Sequence, residues 1–382
     1  MKNLIYLLLL SMTIPSCKKE EARQVNQYTI EQFYTNTRFE GGTFSADETR
    51  LLVGSDETGI FNLYEITLAD GAKKQLTTST VESYYPVDYV PGMSALIYSA
   101  DKGGNEIDHL YLLEDNGKTT DLTPGENNKV SFFKWSEDKK SMFYISNIRD
   151  PKYFDVYKMN IGEWIPTLFY ENKSGLDVNE ISDDEKTLVV SKTVTTSENE
   201  LYLVNKETGT QTELSLPDQK GRYGVSGISK DSKYVFYLTD GGKEFTYLVQ
   251  YDMNSGERKV LYETTWDVMY TFLSEKETYR VIAINEDGKN TIIMQDAASG
   301  KTIDFPAIPD GDILGVEISD SEKLMRLSVG TSKAPNNIYL YNLETKELKK
   351  LTESLNKEIN ADDLVSAEVV RYKSFDGLDI PA

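Results

Sequence analysis

The chain has 382 residues, of which 39% are hydrophobic and 27% are charged, proportions that are ordinary for a globular protein. Its formal net charge is −21, and so acidic a surface repels phosphate backbones, which argues against nucleic-acid binding. With one Cys and one His, the sequence excludes an internal disulfide and a zinc centre built from Cys and His side chains.

The N-terminal residues predict a targeting signal. Lys2 supplies a positive charge, and residues 4–12 form an apolar run that is too short to cross a bilayer but suits a signal peptide. The segment Ile14-Pro15-Ser16-Cys17 then resembles the lipobox of bacterial lipoproteins, in which cleavage precedes a cysteine that is acylated. An ordinary cleaved signal followed by an incidental Cys is the alternative.

The lipobox hypothesis defines the first two segments of the chain. We expect a lipoprotein signal peptide at residues 1–16, lipidation at Cys17 and a flexible tether at residues 17–27. Acylation by several chains anchors a protein stably to a membrane. The mature protein is therefore expected outside the cytoplasm, anchored by lipid in the bacterial outer membrane, on either its periplasmic or its surface side.

A unit of 45 to 47 residues recurs seven times after the tether. Each unit begins with an apolar residue, a serine and an acidic turn. The anchors are Ser45, Ser136, Ser182, Ser229, Ser274 and Ser319, with Pro91 in place of serine in the second unit. We expect the repeated Ser and Asp side chains to bond turn backbones and not to catalyse.

Inside each unit the pattern predicts four strands. A short run rich in β-branched and aromatic residues follows the acidic turn, and a second run carries a Leu-Tyr type pair before a glycine turn. No convincing amphipathic helix separates the anchors, which disfavours helical solenoids and βαβ folds. The sequence therefore predicts an all-β chain, a seven-bladed β-propeller with four-stranded antiparallel blades over residues 28–364. Whether residues 28–34 complete the last blade or lead into the first stays open.

His109 is the only histidine that could serve as a catalytic base. It lies in Glu-Ile-Asp-His-Leu-Tyr at the start of a predicted strand, and no Gly-x-Ser-x-Gly nucleophile motif occurs in the chain. We expect an ordinary strand or rim histidine, no catalytic residue, no metal site and no cofactor.

Several segments resemble propellers of the prolyl oligopeptidase family of serine peptidases, of the dipeptidyl-peptidase or acylaminoacyl-peptidase type. They are residues 101–111 (Asp-Lys-Gly-Gly-Asn-Glu and His-Leu-Tyr), 146–157, 238–245 and 285–288. Residues 370–382 look like the strand by which such peptidases enter an α/β-hydrolase domain. The resemblance implies that residues 365–382 are an exit strand and linker to that domain, missing here, which carries the Ser–Asp–His triad.

The resemblance also implies a substrate-facing surface. Asn105 and Glu106 in the second blade and Arg149 and Asp150 in the third are the candidates for it. A Glu there would hold a peptide amine, and an Arg a carbonyl or carboxylate. The alternative is that all four form turns and ion pairs.

Three functional hypotheses follow. The first is the substrate-gating, non-catalytic propeller of a secreted, lipid-anchored serine peptidase, with the hydrolase domain and short peptides as partners and the membrane reached only through the lipid. The second is a free-standing propeller, resembling that of the Tol system, which binds protein or peptide partners in the cell envelope. A lactonase or lyase with its site over the channel is disfavoured by the single histidine.

Overall fold

The computed structural model describes residues 23–216, 218–308 and 311–382. The predicted signal peptide, Cys17 and the first part of the tether lie outside the described residues. Seven four-stranded antiparallel sheets follow one another, each made of four consecutive strands. This confirms the predicted seven-bladed propeller.

The strand bounds follow the predicted repeat. Blades 1 and 2 consist of β1 (Phe39–Phe44), β2 (Arg50–Ser55), β3 (Asn62–Thr67) and β4 (Lys73–Gln75), then β5 (Tyr85–Tyr89), β6 (Ala95–Ala100), β7 (His109–Glu114) and β8 (Thr119–Asp121). Blades 3 and 4 consist of β9 (Val130–Trp135), β10 (Ser141–Asp150), β11 (Tyr153–Asn160) and β12 (Pro166–Tyr170), then β13 (Asp177–Ile181), β14 (Thr187–Thr195), β15 (Glu198–Asn205) and β16 (Gln211–Glu213).

The remaining blades have the same plan. Blades 5 and 6 consist of β17 (Tyr223–Ile228), β18 (Tyr234–Thr239), β19 (Tyr247–Asp252) and β20 (Arg258–Tyr262), then β21 (Asp267–Leu273), β22 (Tyr279–Glu286), β23 (Lys289–Asp296) and β24 (Thr302–Ile303). Blade 7 consists of β25 (Asp312–Ile318), β26 (Leu324–Thr331), β27 (Ala334–Asn342) and β28 (Leu348–Lys350). Outside the blades lie helix α1 (Ile30–Tyr34), a 3₁₀ turn (Ala361–Asp363) and a hairpin of β29 (Arg371–Lys373) and β30 (Asp379–Pro381).

The anchor serines have the structural role expected of them. Ser45 is buried; its hydroxyl donates to Asp47 over 2.6 Å and accepts from the Arg50 amide over 3.1 Å. The turn is completed by Glu48, whose φ of 53° lies in the left-handed region. The same Ser–Asp bond occurs in the turns at Ser136, Ser182 and Ser229.

The second blade departs from the predicted anchor by one residue. The Val90 amide donates to the Ala95 carbonyl, and the Met93 amide donates to the Val90 carbonyl, which is the pattern that Ser45 makes in blade 1. Assigning the anchor position to Pro91 was therefore wrong, because Pro91 and Gly92 instead occupy the centre of a tight turn. Gly92 has a φ of 71°, which a glycine after a proline adopts readily.

The core consists of apolar clusters between neighbouring blades. One cluster joins blades 2 and 3 through Ile97, Leu110, Met142 and Met159. Another joins blade 1 to blade 7, where Leu51, Val53 and Ile66 pack with Ile338. Burial of each blade against its neighbours therefore continues around the whole ring.

The start of the chain does not complete the last blade. Residues 30–34 form α1 and lead into β1, and a capping box of Thr29 and Gln32 begins the helix. The Asn356 side-chain amide donates to the Gln32 carbonyl over 2.8 Å, which holds α1 against the segment that follows blade 7. No strand is shared between blades 1 and 7 in the described chain.

Candidate functional site

Strand direction divides the propeller into two faces. We call the face that carries the turns between first and second strands and between third and fourth strands the turn face. The opposite face carries the hairpins between second and third strands and the links between blades. Because each blade has four alternating strands, the chain enters β1 and leaves β28 at this second face, which we call the chain-end face. First strands of several neighbouring blades contact each other, for example β1 with β5 and β13 with β17, and the first strands surround the central channel.

All four predicted site residues lie on the chain-end face, in the second-to-third-strand hairpins of blades 2 and 3. Asn105 builds its own turn, since its side-chain oxygen accepts from the amides of Lys102 and Ile107 over 3.3 and 3.0 Å. Glu106 is exposed with a φ of 59°. Its carboxylate has no hydrogen-bond or ion-pair partner among the described residues, so it is available to a ligand.

Arg149 forms a structural ion pair with Asp155. Its Nε and Nη2 donate to the two carboxylate oxygens of Asp155 over 2.6 and 2.9 Å, and Nη2 also donates to the Asn172 carbonyl. Asp155 is completely buried, and this hydrogen bond raises the pKa of Arg149. Asp150 accepts from the Lys152 amide over 2.9 Å and shapes the hairpin turn. Both residues thus have the contacts of turn formers and ion pairs.

His109 has partners on both ring nitrogens. Nδ1 lies 2.8 Å from a carboxylate oxygen of Asp121, and Nε2 lies 2.9 Å from the Gly125 carbonyl. These contacts fasten β7 to the outer strand and to the link that follows it. The histidine has the surroundings of a structural residue.

Two cavities open on the chain-end face. One of about 570 Å³ lies between blades 4 and 5 and is lined by Glu198, Asp240 and Glu244 with Lys220 and Lys243. Sequence reasoning missed these residues, although Glu198 and Glu244 belong to the same kind of hairpin as Glu106 and could have been found by aligning the repeats. Their carboxylates and ammonium groups suit a ligand that carries both charges, such as a short peptide with free termini.

The second cavity lies beside the exit segment. It measures about 360 Å³ and is lined by blades 6 and 7 and by Ala367. The Ala367 amide donates to the Ser332 hydroxyl over 3.1 Å, and Arg371 at the start of β29 pairs with Asp287 in blade 6. The exit segment is thus fastened across the chain-end face.

The exit hairpin exposes an apolar surface. Tyr372 on β29 and Phe375 and Leu378 in the turn that leads to β30 are exposed, as are Val369 and Val370 just before the hairpin. Exposed apolar side chains grouped in this way are typical of a surface that another protein segment covers.

Charged residues from three blades meet on the turn face. Lys230 Nζ in blade 5 lies 2.9 Å from Glu275 in blade 6 and 3.3 Å from Glu137 in blade 3. These hydrogen bonds raise the pKa of Lys230 although its partial burial acts in the opposite direction.

An inner carboxylate lies on the first strand of blade 2. Asp88 accepts from the Trp135 indole over 2.8 Å, and burial raises the pKa of this carboxyl group to about 6. A cavity of about 440 Å³ beside it is lined by Asp88, Trp135, Lys139 and Glu317.

Among the described residues, no group of three or more His, Cys, Asp and Glu side chains is arranged to hold a metal ion. No helix in that part of the chain is long and apolar enough to cross a membrane.

Comparison with known proteins identifies the fold and its relatives. Residues 87–354 match the family model described as prolyl oligopeptidase, N-terminal beta-propeller domain. Dipeptidyl aminopeptidase BIII of Pseudoxanthomonas mexicana is 23% identical over 304 residues, which cover 77% of this chain and 43% of that protein.

Solved structures share the architecture. A structure from a mechanistic analysis of two prolyl endopeptidases superposes with a TM-score of 0.69 at 17% identity, covering 92% of this chain and 54% of that one. Prolyl oligopeptidase B from Galerina marginata, bound to a 35mer hydrolysis and macrocyclization substrate, gives a TM-score of 0.69 at 16% identity, covering 92% and 55%. The chain spans about half the length of the relatives it matches.

Proposed function

Because the chain belongs to the prolyl oligopeptidase family through its N-terminal β-propeller domain, we propose that it is the substrate-gating, non-catalytic propeller of a secreted serine peptidase. In this family the propeller is paired with a separate α/β-hydrolase domain. The proposed role is to cover that domain and to admit short peptides to its active site.

The observation that supports this role most strongly is that both chain ends leave the propeller at one face. The segment before β1 and the segment after β28 are bonded to each other there, since the Thr37 amide donates to the Ser354 carbonyl over 2.9 Å. A domain joined to either end is thereby directed to the chain-end face. The exposed apolar residues of the exit hairpin lie on the same side and suit contact with such a domain.

Glu106 and the carboxylates between blades 4 and 5 are our candidates for holding the peptide. They lie on the chain-end face, where they would line a chamber between propeller and hydrolase. A carboxylate in such a chamber binds the ammonium group of a peptide through a charge-assisted hydrogen bond. Arg149 and Asp150 are better assigned to the structure of the hairpin.

The first test concerns the gene. We expect the reading frame beyond the codon for Ala382 to encode about 300 further residues, with a Gly-x-Ser-x-Gly elbow followed by Asp and His. A stop codon there with no such segment nearby would contradict the peptidase proposal and favour a tethered propeller that binds envelope proteins or peptides.

The gating role has its own test in the protein that includes the hydrolase domain. Peptides with the same cleavage site and increasing length should show a falling kcat/KM, because a covered chamber excludes long chains. Equal kcat/KM values for a dipeptide derivative and for a peptide of about 40 residues would contradict gating. The longer peptide far exceeds the size of the short peptides that a covered chamber admits.

Lipid anchoring is proposed from Cys17 and is tested separately. Cells that express the native gene should incorporate radioactive palmitate into the protein, and Cys17→Ala should abolish both the label and membrane association. Retention of the label in this variant would contradict the anchor and favour an ordinary cleaved signal.

A further inference from the structure

A cavity of about 440 Å³ opens between blades 1 and 2 on the turn face, on the side of the propeller away from both chain ends. Its apolar wall is formed by Leu76, Met93, Leu96 and Leu113. Leu96 and Leu113 are buried, whereas Met93 is exposed and borders the opening. A cavity of this size with one apolar wall suits a small ligand.

Arg50 is held in a fixed position at the blade 1 end of this cavity. Its Nη1 donates to the buried Glu65 carboxylate over 2.7 Å, and its guanidinium carbon lies 5.7 Å from the centre of the Tyr89 ring. The Tyr89 hydroxyl donates to the same Glu65 oxygen over 3.0 Å. Nε and Nη2 of Arg50 form no hydrogen bond with another described residue, and 42% of the side chain is exposed. The guanidinium is therefore oriented by one carboxylate and keeps donors for a second one.

Lys74 places a second positive charge beside Arg50. Glu65 pairs with Lys74 on β4 and with Leu52 on β2, so these three side chains lie on one face of blade 1. Arg50 is two residues from Leu52 and lies on the same face. That face is turned towards blade 2, because Leu52 packs with Leu96. The Lys74 ammonium group has no ion-pair partner within the described part of the chain.

The two ends of the cavity differ in charge. At the blade 2 end, the Glu114 carboxylate lies 3.3 Å from Lys118 Nζ, and Asp115 is exposed. At the blade 1 end, Glu65 is the one carboxylate beside two cations. This end is thus locally positive in a chain whose net charge is −21. A guanidinium and an ammonium group placed side by side are complementary to a carboxylate.

Strand β4 adds a feature that favours a peptide over other carboxylic acids. It is the outermost strand of its sheet and pairs only with β3. An extended peptide can form main-chain hydrogen bonds with such an edge strand.

We propose that this cavity binds a short peptide that ends in an apolar residue with a free carboxylate. Arg50 and Lys74 bind the carboxylate, and the last side chain packs against the leucines of the apolar wall. The site lies on the face opposite the carboxylates that were proposed above to hold a peptide amine. It belongs to the propeller itself and does not rest on the proposed catalytic partner.

The test is isothermal titration calorimetry of the full chain with N-acetyl-Ala-Ala-Leu. The acetyl group removes the ammonium that Glu106 would bind, so this peptide reports on the new site alone. We expect a Kd below about 1 mM, and binding that is at least about tenfold weaker for the C-terminal amide of the same peptide. No binding of the free acid, or equal affinity for acid and amide, would overturn the proposal.

Two variants and a matched control locate the site. Lys74→Met should raise the Kd about fivefold, since it removes one partly exposed charge-assisted hydrogen bond. Lys73→Met is the control, because Lys73 is the neighbour of Lys74 on β4 but lies on the other face and pairs with Glu57. Met93→Glu adds a negative charge at the opening and should abolish binding while the melting temperature stays unchanged. An equal loss in Lys73→Met, or unchanged affinity in Met93→Glu, would contradict a site between blades 1 and 2.

Discussion

The indole Nε1 of Trp135 donates a 2.8 Å hydrogen bond to the carboxylate of Asp88, and it joins the first strands of blades 2 and 3. Asp88 also accepts from the Tyr89 amide over 2.7 Å. Both bonds favour the ionised carboxylate, but burial outweighs them and raises its pKa to about 6. The protein thus contains an inner carboxyl group that titrates in a mildly acidic range.

This carboxyl group makes the stability depend on pH. The folded state holds the Asp88 proton more tightly than the unfolded state, so its contribution to stability is full below pH 4 and is lost as the pH rises through about 6. Asp88→Asn, which stays neutral, should therefore gain roughly 2 to 3 kcal/mol relative to the parent between pH 4 and pH 7. Urea unfolding followed by tryptophan fluorescence measures the difference. The exposed Asp320→Asn is the control, and a gain independent of pH for Asp88→Asn would contradict the assignment.

Arg149 is predicted to be a stability residue. Arg149→Met leaves the buried Asp155 carboxylate without its ion-pair partner, and we expect a loss of about 3 kcal/mol in the free energy of unfolding. Lys152→Met in the same hairpin should change it by less than about 0.5 kcal/mol. Adding Asp155→Asn to Arg149→Met should recover part of the loss in a double-mutant cycle. Unchanged stability of Arg149→Met would return Arg149 to the list of substrate-binding candidates.

Glu106 is predicted to act on the substrate and not on stability. In the protein that includes the hydrolase domain, Glu106→Gln should raise KM for a peptide with a free N-terminus about tenfold and leave the melting temperature unchanged. A peptide with an acetylated N-terminus should show no change, because it has no ammonium group. Asp115→Asn on the turn face is the matched control. An equal change in KM for both peptides would contradict the proposed contact between Glu106 and the peptide amine.

Gly42 is predicted to be essential for the junction of blades 1 and 7. Its φ is 123°, and a Cβ there would lie 2.9 Å from two atoms of the Arg326 side chain. Gly59 has a φ of 99° with nothing within 4 Å, so Gly59→Ala isolates the backbone strain. We expect a loss of about 1 kcal/mol for Gly59→Ala and of about 2 to 4 kcal/mol for Gly42→Ala. Chemical denaturation measures both, and equal losses would exclude the steric contribution of Arg326.

Much of the fold could be predicted from the sequence because its hydrogen bonds are local. Ser45, Asp47 and Arg50 complete a turn among themselves, so each repeat carries the signal for its own strands. Gly71 and Gly117 have φ values of 78° and 82°, as expected for hairpin turns between outer strands. Blade 2 shows the limit of sequence patterns, because its turn starts at Val90 and not at the predicted Pro91, which lies with Gly92 at the centre of the turn.

The candidate site could be predicted only in part. The position of each residue within its repeat predicts that Asn105, Glu106, Arg149 and Asp150 lie on the chain-end face. Only the contacts in the structure show that the Glu106 carboxylate is free whereas Arg149 forms a structural ion pair. Arg149 reaches Asp155, six residues away, and the Asn172 carbonyl, because three strands of blade 3 converge there. Such a choice depends on which buried group needs a partner, and sequence spacing does not reveal it.

By itself, the sequence determined the blade count, the strand order and the absence of a nucleophile motif, all of which follow from short-range patterns repeated along the chain. Tertiary structure decided how the ring closes and which carboxylates are buried. Glu48 and Ser321 form a hydrogen bond although 273 residues separate them in sequence, and Asp88 and Trp135 do so at a separation of 47. These pairs form only when the blades complete a circle, because packing of whole blades brings together side chains that no local interaction connects.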